Sequence, residues 1–202
     1  MKKLLAILLA ALLTLSLAAC SGNKPNEDDK SSSDPDTSSE APAAVAESAL
    51  EILTKVWNNY KEEDKFAIAG GDYTEENMKT DEPGVFSLED ADVLDNTIAF
   101  PAASVDKIDD AAAIRHMMNT NTFTCGAYHV KDAGTVKDVA EEVHNNIKNR
   151  QWICGFPEKL VIVTVGDYIV AFFGAEDLVN VFTANLTAVY ASAETVCDEP
   201  IM

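Results

Sequence analysis

Leu160-Val161-Ile162-Val163-Thr164-Val165-Gly166-Asp167-Tyr168-Ile169-Val170-Ala171-Phe172-Phe173 is the stretch that decides how this chain folds. Two runs of β-branched and aromatic residues are separated by Gly166-Asp167 alone, and a two-residue loop that begins with glycine favours a hairpin closed by a primed turn. Such a turn fixes the register. Val165 faces Tyr168, Val163 faces Val170 and Val161 faces Phe172; on the other face Thr164 meets Ile169, Ile162 meets Ala171 and Leu160 meets Phe173. Both faces are apolar, whereas a hairpin with one wet side alternates polar and apolar residues. The second face therefore needs a cover, either another helix or a second protein, which makes Leu160, Ile162, Ile169 and Phe173 a candidate interaction face.

Upstream of the hairpin, Thr135-Val136-Lys137-Asp138 has the form of a capping sequence, and Val136, Val139, Val143 and Ile147 recur three and four apart, which predicts a helix to about Gln151. Phe123 to Lys131 reads as a strand. Asp110 to Met118 reads as a short helix with Asp109 or Asp110 as its N-cap, and Thr97 to Phe100 as a short strand stopped by Pro101. Residues 63–95 carry the breakers Gly70-Gly71 and Glu82-Pro83-Gly84 and predict loops and short elements. Leu50, Leu53, Val56, Trp57 and Tyr60 mark a helix near residues 46–62, and Leu178, Val181, Phe182, Leu186 and Val189 a closing helix from about Glu176 to Ser192. The order α-β-α-β-α-β-β-α defines an α+β fold, with a small, mainly antiparallel sheet of about four strands and amphipathic helices packed on it. Residues 44–202 form a single domain of this kind.

Ahead of the domain the composition changes twice. Met1-Lys2-Lys3 is a cationic start, Leu4 to Leu17 is almost uninterruptedly apolar, and Leu17-Ala18-Ala19-Cys20 follows. That ending resembles the lipobox of bacterial lipoproteins, so residues 1–19 are expected to be a signal peptide and Cys20 the lipidated first residue. A signal anchor or a plain secretory signal competes with this reading, but the apolar run is short for a spanning helix and a polar stretch follows at once. Residues 20–43 combine serines, aspartates and three prolines with no large apolar side chain, the composition of a flexible acidic tether. A coil of that length has a typical span of roughly 25 to 30 Å. The implied partner is the membrane, through a diacylglyceryl anchor whose two acyl chains hold where one is marginal. The protein is then placed at the cell membrane, on its extracytoplasmic face.

From Thr97 to Tyr190 the chain resembles an uncharacterised domain-of-unknown-function family of small lipoproteins from clostridial-type Gram-positive bacteria. The matching features are an acidic segment before Ile108, the strand Thr124-Cys125-Gly126-Ala127-Tyr128-His129-Val130-Lys131-Asp132, the helix Val136 to Ile147, the Gly166-Asp167-Tyr168-Ile169-Val170 turn and a closing helix. The resemblance implies a shared α+β domain on a lipid tether and carries no chemistry.

With 34 acidic against 15 basic residues the chain has a formal charge of −19, and loss of Lys2 and Lys3 with the leader makes it two units more negative. Such a polyanion has no basic footprint for phosphates, which excludes general nucleic-acid binding. His116, His129 and His144 lie far apart with no H-E-x-x-H and no C-x-x-C, so spacing supports no zinc site, and no cofactor is implied. The acid clusters Asp90, Asp92, Asp95 and Asp106, Asp109, Asp110 lack the glycine and glutamate of an EF-hand loop. No nucleophile elbow or phosphate-cradling loop occurs. His129, on a strand where it could meet a carboxylate, is the one weak catalytic candidate, set against a structural histidine. A helix of about 16 residues returns Cys154 towards Cys125, and a bond between them would contribute on the order of 3 to 4 kcal/mol; Cys197 is left over, free or intermolecular. The functions in play are a non-enzymatic binding or interaction module, a small cell-envelope hydrolase, and an acidic cation- or ligand-binding lipoprotein.

Overall fold

The computed structural model describes residues 46–153 and 155–202. In chain order the elements are α1 (Ala49–Asn58), β1 (Ile68–Gly70), β2 (Lys79–Thr80), β3 (Gly84–Val85), α2 (Ala91–Ile98), β4 (Ile108–His116), β5 (Phe123–Val130), α3 (Val136–Lys148), β6 (Lys159–Val165), β7 (Tyr168–Gly174), α4 (Glu176–Val189) and β8 (Glu194–Pro200), joined in places by short 3-10 turns. The strands form one sheet in the order β2-β1-β4-β5-β7-β6-β8, with β3 also on β4. Every pairing is antiparallel. The fold is α+β, with eight strands where the sequence reading expected about four.

The β6–β7 hairpin has the expected register, from Val165 opposite Tyr168 to Leu160 opposite Phe173. Gly166 carries a positive φ of 62°, as the first central position of a type II′ turn requires. Both apolar faces are covered by helices of the same chain. Val161, Val163, Val170 and Phe172 share a buried cluster with Ile52, Leu53 and Val56 of α1 and with Val179, Phe182 and Leu186 of α4. Leu160, Ile162, Ile169 and Phe173 share the opposite cluster with Leu94 and Ile98 of α2 and Val139, Val143 and Ile147 of α3. These four residues are buried in the folded domain, so the expectation of an open interaction face is corrected: the cover is a helix layer. Each such side chain contributes about 1.5 to 3 kcal/mol relative to exposure.

Two element assignments are also corrected. Asp110 to Met118, expected as a helix, lies in β4 and the turn after it. Its alanines favour a helix in isolation, but here Ala112 faces the α1/α4 cluster while Ala111 and Ala113 face the other. Small side chains on a strand covered from both sides let the helices approach, and tertiary packing overrides local propensity. Asp110 does cap a helix, though not its own: its Oδ2 accepts from the Ala49 N–H at the start of α1, at 2.6 Å. Thr97 to Phe100, expected as a strand, is the end of α2; Ala99 adopts the left-handed conformation (φ 62°) that closes the helix, and Pro101 follows as a stop. The last strand, β8, was not expected at all. It is an edge strand with mostly exposed or half-exposed residues, and edge strands carry charge in place of an apolar pattern.

Candidate functional site

The C-terminal ends of α2 and α3 are bound to each other by side chains. Asn146 Nδ2 donates to Asp95 Oδ1 (2.9 Å) and to the Ala99 carbonyl (3.0 Å). Arg150 donates from Nη1 to Asp95 Oδ1 (3.1 Å) and from Nη2 to the Asp95 carbonyl (2.8 Å). Beneath them the Tyr128 hydroxyl, fully buried, donates to the Ile98 carbonyl at 2.5 Å. The Ile98 and Ala99 carbonyls at the end of α2 thus find donors on β5 and α3, and the Asp95 carbonyl, which already accepts from the Ala99 N–H, gains a second donor in Arg150. Tyr128 can lie there because residue 126 is glycine: a Cβ at Gly126 would sit 2.0 Å from the tyrosine hydroxyl.

Beside this junction opens a cleft of about 540 Å³ on which polar groups converge. Asp95, Asn96 and Thr97 of α2, Thr120 and Asn121 of the β4–β5 connection, and Asn146, Arg150, Gln151 and Trp152 around the end of α3 line it. Trp152 packs edge-on against Phe173 of β7, with ring centroids 5.0 Å apart, and the Arg150 guanidinium stands 6.0 Å from the indole. Asp95 and Arg150 are the charged residues of the lining and compensate each other. The cleft is therefore locally neutral in a strongly acidic protein. Amides, hydroxyls and one guanidinium suit it to a ligand rich in uncharged hydrogen-bonding groups. At one margin Asn121 Nδ2 donates to the carbonyls of Ile153 (2.9 Å) and Gly155 (3.0 Å), pinning the segment after α3. Ile153 and Phe156 on that segment are exposed.

His129 does meet carboxylates. Its Nδ1 is 2.5 Å from Asp109 Oδ1, its Nε2 is 3.6 Å from Asp167 Oδ2, and its ring centroid is 4.7 Å from that of Tyr168. Burial, then the charges of Asp110, Asp167 and Asp109, push the Tyr168 phenol up to about 12. Both imidazole nitrogens face carboxylates, an arrangement that ties β4, β5 and the β6–β7 turn together at the end of the sheet. His129 is five residues along β5 from Thr124 of the cleft, roughly 17 Å away, so the two do not form one site.

Four of the six clustered aspartates have separate structural roles. Asp90 caps α2 by accepting from the N–H groups of Asp92 (3.1 Å) and Val93 (3.0 Å). Asp95 serves the cleft, Asp109 holds His129 and Asp110 caps α1. Cys125 is fully buried on the α1/α4 face, where burial pushes its thiol well up. Cys20 and Cys154, and with them the lipidation site and one half of the expected disulfide, lie outside the described residues. Metal-ligand side chains converge in a group of three at His144, Cys197 and Glu199, on the side of α3 turned away from Asn146 and Arg150.

No protein-family model matches this chain, and no curated protein or solved structure is similar to it.

Proposed function

We propose that this protein is a non-enzymatic binding module held at the extracytoplasmic face of the cell membrane by a lipid on Cys20, and that the Asp95–Arg150–Trp152 cleft takes its ligand. The Leu17-Ala18-Ala19-Cys20 ending, the acidic Ser/Asp/Pro stretch after it and the resemblance to clostridial-type lipoproteins support the anchoring half. The observation that carries the binding half is the cleft itself, preformed because its walls are fixed by the Tyr128, Asn146 and Arg150 hydrogen bonds. Preorganised polar walls bind with little ordering cost. Their neutrality selects a hydroxyl- or amide-rich ligand such as a short envelope glycan.

Calorimetric titration of the full chain in detergent with soluble cell-wall oligosaccharides tests this. Saturable binding by the wild type that is lost in Arg150→Ala and kept in His129→Ala is the expected result. Binding that survives Arg150→Ala, or the absence of heat across the whole panel, removes the cleft from consideration. Radiolabelled palmitate incorporation that depends on Cys20 tests the anchor separately.

A further inference from the structure

We propose that His144, Cys197 and Glu199 form a binding site for a thiophilic divalent transition ion of the zinc class, on the edge of the domain between α3 and β8. One ring nitrogen of His144, the Cys197 sulfur and a Glu199 carboxylate oxygen all lie within 4.8 Å of one another, and His144 Nε2 is already 3.0 Å from Glu199 Oε1. All three residues are half-buried. Imidazole nitrogen, thiolate sulfur and carboxylate oxygen are together a zinc-type donor set, with the fourth position open to water. Calcium and magnesium prefer oxygen throughout and are disfavoured by the thiol.

The course of β8 supplies an independent observation. Thr195 pairs with Val163, yet Cys197 pairs with Ile162, so Val196 is an extra residue in the ladder. Val163 belongs to the α1/α4 face and Ile162 to the α2/α3 face. A regular strand continuing from Thr195 would keep positions 197 and 199 on the α1/α4 side, because alternate residues share a face. The bulge at Val196, itself exposed, reverses them, and Cys197 and Glu199 turn towards His144. Bulges characteristically re-aim side chains beside functional sites.

Lys148, one helical turn beyond His144, also reaches Glu199 Oε1 at 3.0 Å. It donates equally to the Pro200 carbonyl at 3.0 Å, so an ion can take the carboxylate without leaving the ammonium unpartnered. As the metal–sulfur bond forms, the Cys197 thiol proton passes to solvent.

Cobalt(II) chloride, added to the metal-stripped full chain in detergent under reducing conditions, is the probe. A near-ultraviolet thiolate-to-cobalt band with intense visible bands of a tetrahedral centre is expected at one equivalent, and zinc chloride should displace it. The band should vanish in Cys197→Ser and persist in Cys154→Ser. His144→Gln, a half-exposed change that leaves the core alone, should weaken cobalt binding by at least about a hundredfold, the upper end of what even an outer-shell partner is worth. No charge-transfer band in the wild type, or a band that survives Cys197→Ser, overturns the proposal. So does unchanged affinity in His144→Gln.

Discussion

The two faces of the sheet are packed by different rules. On the α1/α4 side Phe182 packs at a tilt against Tyr60, Phe123 and Phe172 at centroid distances of 6.4, 5.4 and 4.7 Å, and the buried hydroxyls of Tyr60 and Tyr190 have no hydrogen-bond partner among the described residues. On the α2/α3 side the buried tyrosine, Tyr128, is fully partnered, and the rim of the core carries the Asp95–Asn146–Arg150 junction and the Glu142–Lys107 pair. Van der Waals contact tolerates an orphan hydroxyl at a cost of about 1 to 3 kcal/mol. A cleft needs polar groups that are all held in place. The first face therefore rests on aromatic packing, and the second on partnered polar groups that form the walls of the cleft.

The largest expected effect breaks the first face alone. Phe182→Ala removes the ring at the centre of the aromatic cluster and should destabilise the domain by about 3 to 5 kcal/mol in chemical denaturation, with oligosaccharide binding unchanged where the protein remains folded. Equal loss of binding would mean that the faces are coupled. The next test compares two hydroxyls. Tyr128→Phe leaves the Ile98 carbonyl without its donor and should cost about 1 to 3 kcal/mol, while Tyr60→Phe removes a hydroxyl with no partner among the described residues and should be neutral or stabilising. The same loss at both positions would erase the distinction between the faces.

The smallest effect concerns acid. Hydrogen bonds from Lys107 Nζ, at 2.6 and 2.8 Å, and from the Ser104 hydroxyl at 2.6 Å hold the Glu142 carboxyl below the usual carboxylate range. A group depressed in the folded state contributes its stability above its unfolded pKa and loses it as pH falls through the folded value. Melting temperature should fall on acidification below about pH 4, and the fall should be shallower in Glu142→Gln, whose side chain no longer titrates. Identical acid profiles for the two proteins would assign the effect to other carboxylates.

How much of this was legible in the sequence depended on whether a residue's neighbours were local. The β6–β7 pairing could be read to the individual residue pair because a two-residue turn leaves one register. Helix α3 could be read from its period. Strand β4 could not, because alanine placed on a doubly covered strand looks like helix former. Strand β8 could not, because an edge strand rich in Glu, Asp and Thr has no apolar alternation, and with it went any chance of joining Cys197 and Glu199 to His144 across more than fifty positions. His129 was correctly placed on a strand, but its aspartates come from the far end of β4 and from the hairpin turn. The cleft was invisible for the same reason: α2, the β4–β5 connection, the end of α3 and β7 each supply one wall.

The two rims of the sheet have a colloidal consequence. At one side β2 offers only Lys79 and Thr80, too short a template to recruit another strand. At the other, β8 is interrupted at Val196, its Glu194 is exposed, and Asp198 and Glu199 are paired within the chain to Lys159 and Lys148. A neighbouring copy that approaches edge to edge meets a broken ladder on a molecule of strongly negative net charge. Both rims of the described sheet therefore resist further pairing, and crowded copies are discouraged from adding strands into a fibre.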